Sequence, residues 1–552
     1  MAVRVWSRAQ RENGLETYDF IVVGAGSAGC AVAARLSESG RHSVLLLEAG
    51  PSDRRFWVQV PIGYGKTFFD PRVNWMYRSE PIPGFGGRDN YFPRGKVLGG
   101  SSSINAMVYS RGQQADYDAW EAMGNPGWGW RDVLAAYKRM EDHALGGGSH
   151  HGVGGPVHVT TIDDAAHPLC RAFVEGGVQC GVPASADLNG ETIEGVGLYQ
   201  ITTRDGLRLS SSRAYLWPAR GRRNLRIVTG ALATRVTFDG RRAVGVAYEH
   251  GGASVAARAG REVILSGGAI NTPQLLQLSG VGPADLLGAQ GIAVRHEAPA
   301  VGRNLQDHLC YDHVYRARVP TLNQVLVPWW GKLAVGLRYV LTRRGPLAMS
   351  LNHAGGYYRS RPGLAFPNIQ LYFSPLTYEQ APQGKRPLMN PDPFPGFIAS
   401  VSPCRPQSTG YLAIRSADSR TPPAIHPNYL DDPHDMHELL EGARFLRRLA
   451  ASPALSAVIA EELKPGPKAR SDADFEADVR ARAYSVFHPS GTCRMGPEAR
   501  DAVVDRRLRV HGLDRLRVVD ASIFPVIPSG NINAPTMMVG EMGSAMILAD
   551  AN

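Results

Sequence analysis

An apolar run, Asp19-Phe20-Ile21-Val22-Val23, is followed by Gly24-Ala25-Gly26-Ser27-Ala28-Gly29 and then by residues at helical spacing as far as Leu36. A second apolar run, Ser43 to Leu47, ends at Glu48, 19 residues after Gly29. Strand, tight turn, helix and strand in this order make the unit that binds a dinucleotide. Gly24 makes the turn, Gly26 lets the backbone approach a pyrophosphate, and Gly29 lets helix and strand pack closely. The helix start at Ser27 and Ala28 offers free N–H groups and partial positive charge to phosphates. Glu48, with Ala49 beside it, is placed to accept hydrogen bonds from the ribose hydroxyls of an adenosine. FAD and NAD share that half, so this unit alone leaves the choice between them open.

The rest of the composition narrows the class. With 552 residues, 43% of them hydrophobic and 20% charged, the chain is globular and large enough for several units or two interwoven ones. Its 62 Gly and 39 Pro follow no period, which excludes collagen-like and low-complexity readings. The net charge of +10 is spread thinly, and no basic stripe with aromatic residues marks a nucleic-acid partner. Six cysteines without a C-x-x-C pair read as thiols of a reducing compartment. The first twenty residues carry charges where a signal peptide needs an apolar stretch, and no transmembrane run occurs. A cytoplasmic location is expected. Peripheral attachment to the inner membrane stays open, because it needs only a surface patch.

A second glycine-rich run, Pro93-Arg94-Gly95-Lys96-Val97-Leu98-Gly99-Gly100-Ser101-Ser102-Ser103-Ile104-Asn105-Ala106-Met107, can lie flat against an extended cofactor. Further stretches are Gly268 to Pro273 running to Gly282, Gly302 to His308, His488 to Gly496, and Asp520-Ala521-Ser522. Together these resemble the glucose-methanol-choline (GMC) flavoprotein oxidoreductases, nearest their choline and aliphatic alcohol dehydrogenase branch. The resemblance covers nearly the whole chain. It implies an α/β fold in which a Rossmann-like FAD-binding domain (18–160, 225–308 and 486–549) is interleaved with an α+β substrate-binding domain (161–224 and 309–485) on a mostly antiparallel sheet. Local patterning agrees: 225–228, 235–238, 243–248, 262–265 and 517–520 read as strands, and alternation over 368–373 suggests a sheet in the Pro-rich middle third, which includes Pro382 and Pro387.

Oxidising an alcohol requires a base for the hydroxyl proton and an acceptor for the hydride on carbon. The resemblance places the catalytic histidine at His488. Its partner in this family is a second His or an Asn seven residues before a glycine, which here is Asn533 before Gly540; an Asn amide can donate to the substrate oxygen as charge builds. Asn531 is the rival, read as a turn residue after Gly530. The resemblance also puts Gly100 and Asn105 beside the flavin ring, Ala233 at the adenine, and Asp520 and Ala521 toward the pyrophosphate. Arg94, Gly99, Ser101, Ala106, Met107, Val108, Asn531, Pro535 and Thr536 complete the surroundings. Where the family links its flavin covalently through a His, this chain has Phe92, so FAD is expected to be dissociable. His143, His150 and His151 in a Gly-rich stretch read as residues of a mobile loop, and no metal is expected.

The expected function is FAD-dependent oxidation of a small-molecule alcohol, primary rather than secondary, to the aldehyde, with hydride passing to flavin N5. Oxygen or a quinone-type or dye acceptor takes the electrons. Non-redox hydroxynitrile lyase or fatty-acid photodecarboxylase chemistry on the same scaffold is the alternative. Core packing is the expected role of His353, Tyr357, Tyr358 and Phe373, although each could line a pocket.

Overall fold

The structure, a computed structural model, describes residues 11–12, 15–378 and 390–551. Pro382, Pro387 and the first ten residues lie outside the described residues. Among shorter elements the chain runs through β1 (Leu15–Val23), α1 (Ser27–Leu36), β2 (Val44–Glu48), β3 (Gly195–Leu198), β4 (Leu225–Thr229), β5 (Ala231–Asp239), β6 (Arg242–His250), β7 (Ala253–Leu265) and α2 (Gly268–Leu278). It continues through β8 (Leu309–Ala317), α3 (Trp329–Thr342), β9 (Ala354–Tyr358), β10 (Ile369–Ser374), β11 (Gly396–Pro403), α4 (Pro433–Ala451), β12 (Ile459–Lys464), β13 (Leu516–Val518) and α5 (Asn533–Ala551).

The first sheet has the order β4-β2-β1-β7-β6-β5, with β13 also on β7. Strands β4, β2, β1, β7 and β13 pair in parallel, whereas β7, β6 and β5 form an antiparallel meander. β7 serves both arrangements. Its first half pairs with β6 and is partly exposed, while Val263-Ile264-Leu265 lie between β1 and β13 and are buried. A parallel strand covered on both faces needs such a continuous apolar run. Helix α1 is buried along most of its length, and its small residues let α5 come close: a Cβ on Gly540 would stand 2.8 Å from the Ala28 carbonyl oxygen.

The second sheet has the order β12-β8-β11-β10-β9-β3, and every pairing along it is antiparallel. Helix α4 packs on β11, where Gly442 leaves room for Val401. β10 and β11 are buried from end to end, so alternation along 368–373 marks the strand without marking a wet face. The chain visits this sheet at β3, returns to the first for β4 to β7, and ends in the first again. The stretch around His143 is tied down, since His143 stacks on His151 and His151 lies between Glu141 and Asp187. Among the described residues no helix is long and apolar enough to cross a membrane.

Candidate active site

A cavity of about 630 Å³ runs from Glu48, at the end of β2, to His488. Three helix starts face it, those of α1, α2 and α5. The N-caps of α1 and α2 are Gly26 and Gly267, and neither supplies a side-chain cap; Asp520 takes the first N–H of α2, whereas those of the first turn of α1 remain for another acceptor. Gly24, Gly26, Ser27, Ala28, Glu48, Ala49, Arg94, Gly100, Ser101, Asn105, Ala106, Met107, Val108, Ala233, Asp520, Ala521, Asn531 and Thr536 all line the cavity.

Three expected residues stand behind that wall. A Cβ on Gly29 would fall 1.9 Å from the Gly24 carbonyl oxygen, so Gly29 serves helix packing. Gly99, at φ +89°, donates its N–H to the Ala25 carbonyl oxygen at 2.8 Å and ties the second glycine loop to the first. Pro535 is buried in the first turn of α5. The same two loops meet at Gly100, whose φ is +53° and whose added Cβ would lie 2.7 Å from Gly26 Cα.

Glu48 accepts the backbone N–H groups of Ala25 at 3.0 Å and Gly50 at 2.8 Å, bracing the turn as well as facing the cavity. Burial pushes its carboxyl up to about 7 against those hydrogen bonds. Asp520 holds α2 to the loop after β13, accepting from Gly268 N–H at 2.8 Å and Thr272 Oγ1 at 2.6 Å.

At the other end His488 sits in a network that determines its tautomer. His308 Nε2 lies 3.0 Å from the Cys404 carbonyl oxygen, which only accepts, so His308 carries its proton there. His308 Nδ1 is then an acceptor, and His488 Nδ1, 3.0 Å away, donates to it. The lone pair of His488 is left on Nε2, 3.2 Å from Asn531 Nδ2. Gln370 orients that amide: Tyr372 Oη donates to Gln370 Oε1 at 2.7 Å, and Gln370 Nε2 donates to Asn531 Oδ1 at 3.2 Å. Burial holds His488 well below the ordinary histidine range, reinforced by His308 and Arg94, and burial lowers His308 to about 4.

The backbone is fixed too. His488 N–H donates to Asp307 Oδ1 at 2.7 Å, and Asp307 also accepts from Ser485 and Tyr429. Burial raises that carboxyl to about 6. Arg94 donates to the carbonyl of Phe487, a non-glycine residue held at φ +69°.

The two asparagines stand the other way round from expectation. Asn531, in the loop before α5, meets His488, whereas Asn533, the first residue of α5, accepts from Ser27 Oγ at 2.8 Å. Asn533 therefore sits at the turn of α1, on the cofactor side.

The sequence pattern that defines GMC oxidoreductases matches residues 18–310 in its N-terminal part and 406–540 in its C-terminal part. The chain belongs to the GMC oxidoreductases. This GMC oxidoreductase is 43% identical to mitochondrial choline dehydrogenase of Mus musculus over 550 residues, 98% of this chain and 91% of the relative. It is 41% identical to alcohol dehydrogenase [acceptor] of Pseudomonas putida, over 96% of each chain. Its fold matches a crystal structure of pyridoxine 4-oxidase from Mesorbium loti with a TM-score of 0.86 and 32% identity, over 96% of this chain and 98% of that one.

The residues of this GMC oxidoreductase fit FAD: two glycine loops that no side chain could share, the uncapped start of α1 for the pyrophosphate, and Glu48 at the adenosine end. His308, Asp307 and Gln370 had no assigned role in the sequence reading, although His308 and Asp307 close the stretch from Gly302. Their roles depend on contacts with segments far away in the chain. Beyond His488 the wall includes Tyr64, Phe68, Cys310, Tyr372 and Val486. His353, Tyr357, Tyr358 and Phe373 are buried away from the cavity, Phe373 on the opposite side of β10 from Tyr372.

Proposed function

We propose that this oxidoreductase converts a primary alcohol to the aldehyde with His488 as the general base. FAD-dependent oxidation at a CH–OH carbon is the reaction of the family, and bound FAD supplies the hydride acceptor at N5. Nothing in the relatives favours lyase or photodecarboxylase chemistry. The observation that carries the assignment is the lone pair on His488 Nε2, facing the cavity with the Asn531 amide beside it. An alcohol oxygen within reach of both gives its proton to Nε2 and receives a hydrogen bond from the amide as negative charge grows. His308 takes the hydrogen bond from Nδ1 and keeps the ring in that orientation.

FAD in this reading is held without a covalent link, since Phe92, at the family's linkage position, is buried against Tyr429. We place the cofactor domain at 18–160, 225–308 and 486–549 and the substrate domain at 161–224 and 309–485, a division supported by the strands each sheet contains. The electron acceptor is oxygen or a quinone-type or dye molecule, and the protein works in the cytoplasm with peripheral attachment to the inner membrane.

The test is anaerobic stopped-flow reduction of the flavin by a series of alcohols. His488→Ala is expected to slow reduction at least about a hundredfold while the flavin spectrum stays native, because a positioned base contributes ~10² to 10⁴. Reduction within about threefold of the parent would overturn the assignment. Admitting oxygen afterwards separates prompt reoxidation, an oxidase, from persistence of the reduced flavin, a dehydrogenase.

A further inference from the structure

Large apolar side chains are exposed at scattered points over the molecule, but seven of them crowd into 325–341: Val325, Trp329, Trp330, Leu333, Leu337, Val340 and Leu341. Trp329 is 76% exposed and Leu341 73%. Along α3 the buried residues Gly331, Val335 and Tyr339 occupy one side, against a small core with Val60, Ile62, Tyr64, Leu322 and Leu326. At about 100° per residue the exposed residues of α3 fall on the opposite side. Lys332 then borders this stripe on one flank and Arg338 on the other, while Arg343, just past the helix, turns its guanidinium over the Tyr339 ring.

Scattered exposed apolar residues need no explanation, but a contiguous stripe on one helix does. Charge narrows what covers it. From His313 to Tyr378 the sequence contains eight Lys and Arg and no Asp or Glu. Among the described residues Lys332, Arg338, Arg343 and Arg344 form no ion pair, although other arginines of this stretch, such as Arg316, Arg359 and Arg361, do. A helix with tryptophans at its start, leucines along one face, cations on both flanks and too little apolar length to span is suited to lie in a bilayer interface.

We infer that α3 is a monotopic docking helix that seats the protein on a bilayer carrying anionic headgroups. The apolar stripe enters the headgroup and acyl boundary while the flanking cations meet the lipid phosphates. The surface assignment builds on the peripheral attachment proposed above and is independent of the alcohol chemistry. It has a consequence for access. Tyr64 and Leu351 belong both to the small core beneath α3 and to the cavity wall, so α3 and one layer of side chains separate the docked bilayer from the cavity.

The experiment is sedimentation of the FAD-loaded protein with vesicles of phosphatidylcholine alone and of an equal mixture of phosphatidylcholine and phosphatidylglycerol. The parent is expected to pellet with the mixed vesicles, less with phosphatidylcholine, and less at high salt. Leu333→Glu combined with Leu337→Glu is expected to lower partitioning at least about tenfold, with flavin content and reduction by a water-soluble alcohol unchanged. Lys332→Gln combined with Arg338→Gln is expected to remove the preference for the mixed vesicles. The inference fails if the parent stays in the supernatant with mixed vesicles, or if the leucine variant binds as well as the parent. It also fails if the parent is a dimer in solution that the leucine variant splits and that ignores vesicles, since a second copy would then cover the stripe. Loss of alcohol-dependent flavin reduction in the parent would count against the catalytic reading alone.

Discussion

At His488 two effects act together. Desolvation keeps the imidazole neutral, and the bond from Nδ1 to His308 leaves the lone pair on Nε2, on the cavity side beside the Asn531 amide. The active form is the unprotonated ring, and its pKa lies below the ordinary value of about 6.5. The sign follows directly: lowering the pH through 6.5 leaves the base competent, and the rate falls only well below that. We expect the anaerobic reduction rate to be flat from about pH 8 through the ordinary histidine range, measured by stopped flow; an acid limb centred near 6.5 would show that the ring is not desolvated during turnover. The asparagines should separate by readout. Asn531→Ala is expected to slow flavin reduction by about 10- to 1000-fold with FAD affinity unchanged, because one donor to a developing alkoxide is lost. Asn533→Ala is expected to loosen FAD and to leave the reduction rate of saturated enzyme within about threefold, since its partner is Ser27. The motif spacing pointed to Asn533. Asn531 is reached only through the loop that precedes α5.

Among the elements, the first βαβ unit was the most legible, because β1, the glycine turn, α1 and β2 are all close in sequence and each needs a particular residue type. Glu48 shows how an element adds to the reading. It ends β2 facing the cavity, and it also accepts the N–H groups of Ala25 and Gly50. Glu48→Ala is therefore expected to weaken FAD binding by ~1.5–3 kcal/mol, the range for hydrogen bonds to a charged group, and to lower Tm as well. Fluorescence titration and thermal melting of the same sample check both, and reduction of the saturated variant should remain near the parent rate. β7 was legible only in its second half. Ala253 to Arg261 mixes small and charged residues, a composition with little strand preference, and its pairing with β6 supplies what local propensity lacks. β10 was visible by its alternation, yet its burial on both faces comes from neighbours that alternation does not name.

For the whole molecule the cavity between the two sheets is the central fact, since its wall draws on segments from Val23 to Thr536. A cofactor bound there is expected to stabilise the chain by mass action, so added FAD should raise Tm in a concentration-dependent way. With Phe92 at the linkage position, acid precipitation should release intact FAD into the supernatant; flavin retained in the pellet would contradict non-covalent binding. The sequence by itself determined the local chemistry: a phosphate-binding turn, a second glycine loop, a histidine on a fixed loop and the family to which they belong. Only the tertiary structure decided that His308 and Asn531 meet His488, that Phe373 turns away while Tyr372 faces the cavity, and that α3 shows its leucines to the outside. The reason is physical. A turn, a cap or a strand is set by neighbours a few residues away, whereas a hydrogen bond between positions 308 and 488 depends on the direction of two side chains after 180 intervening steps of chain, and residue order carries no record of that direction.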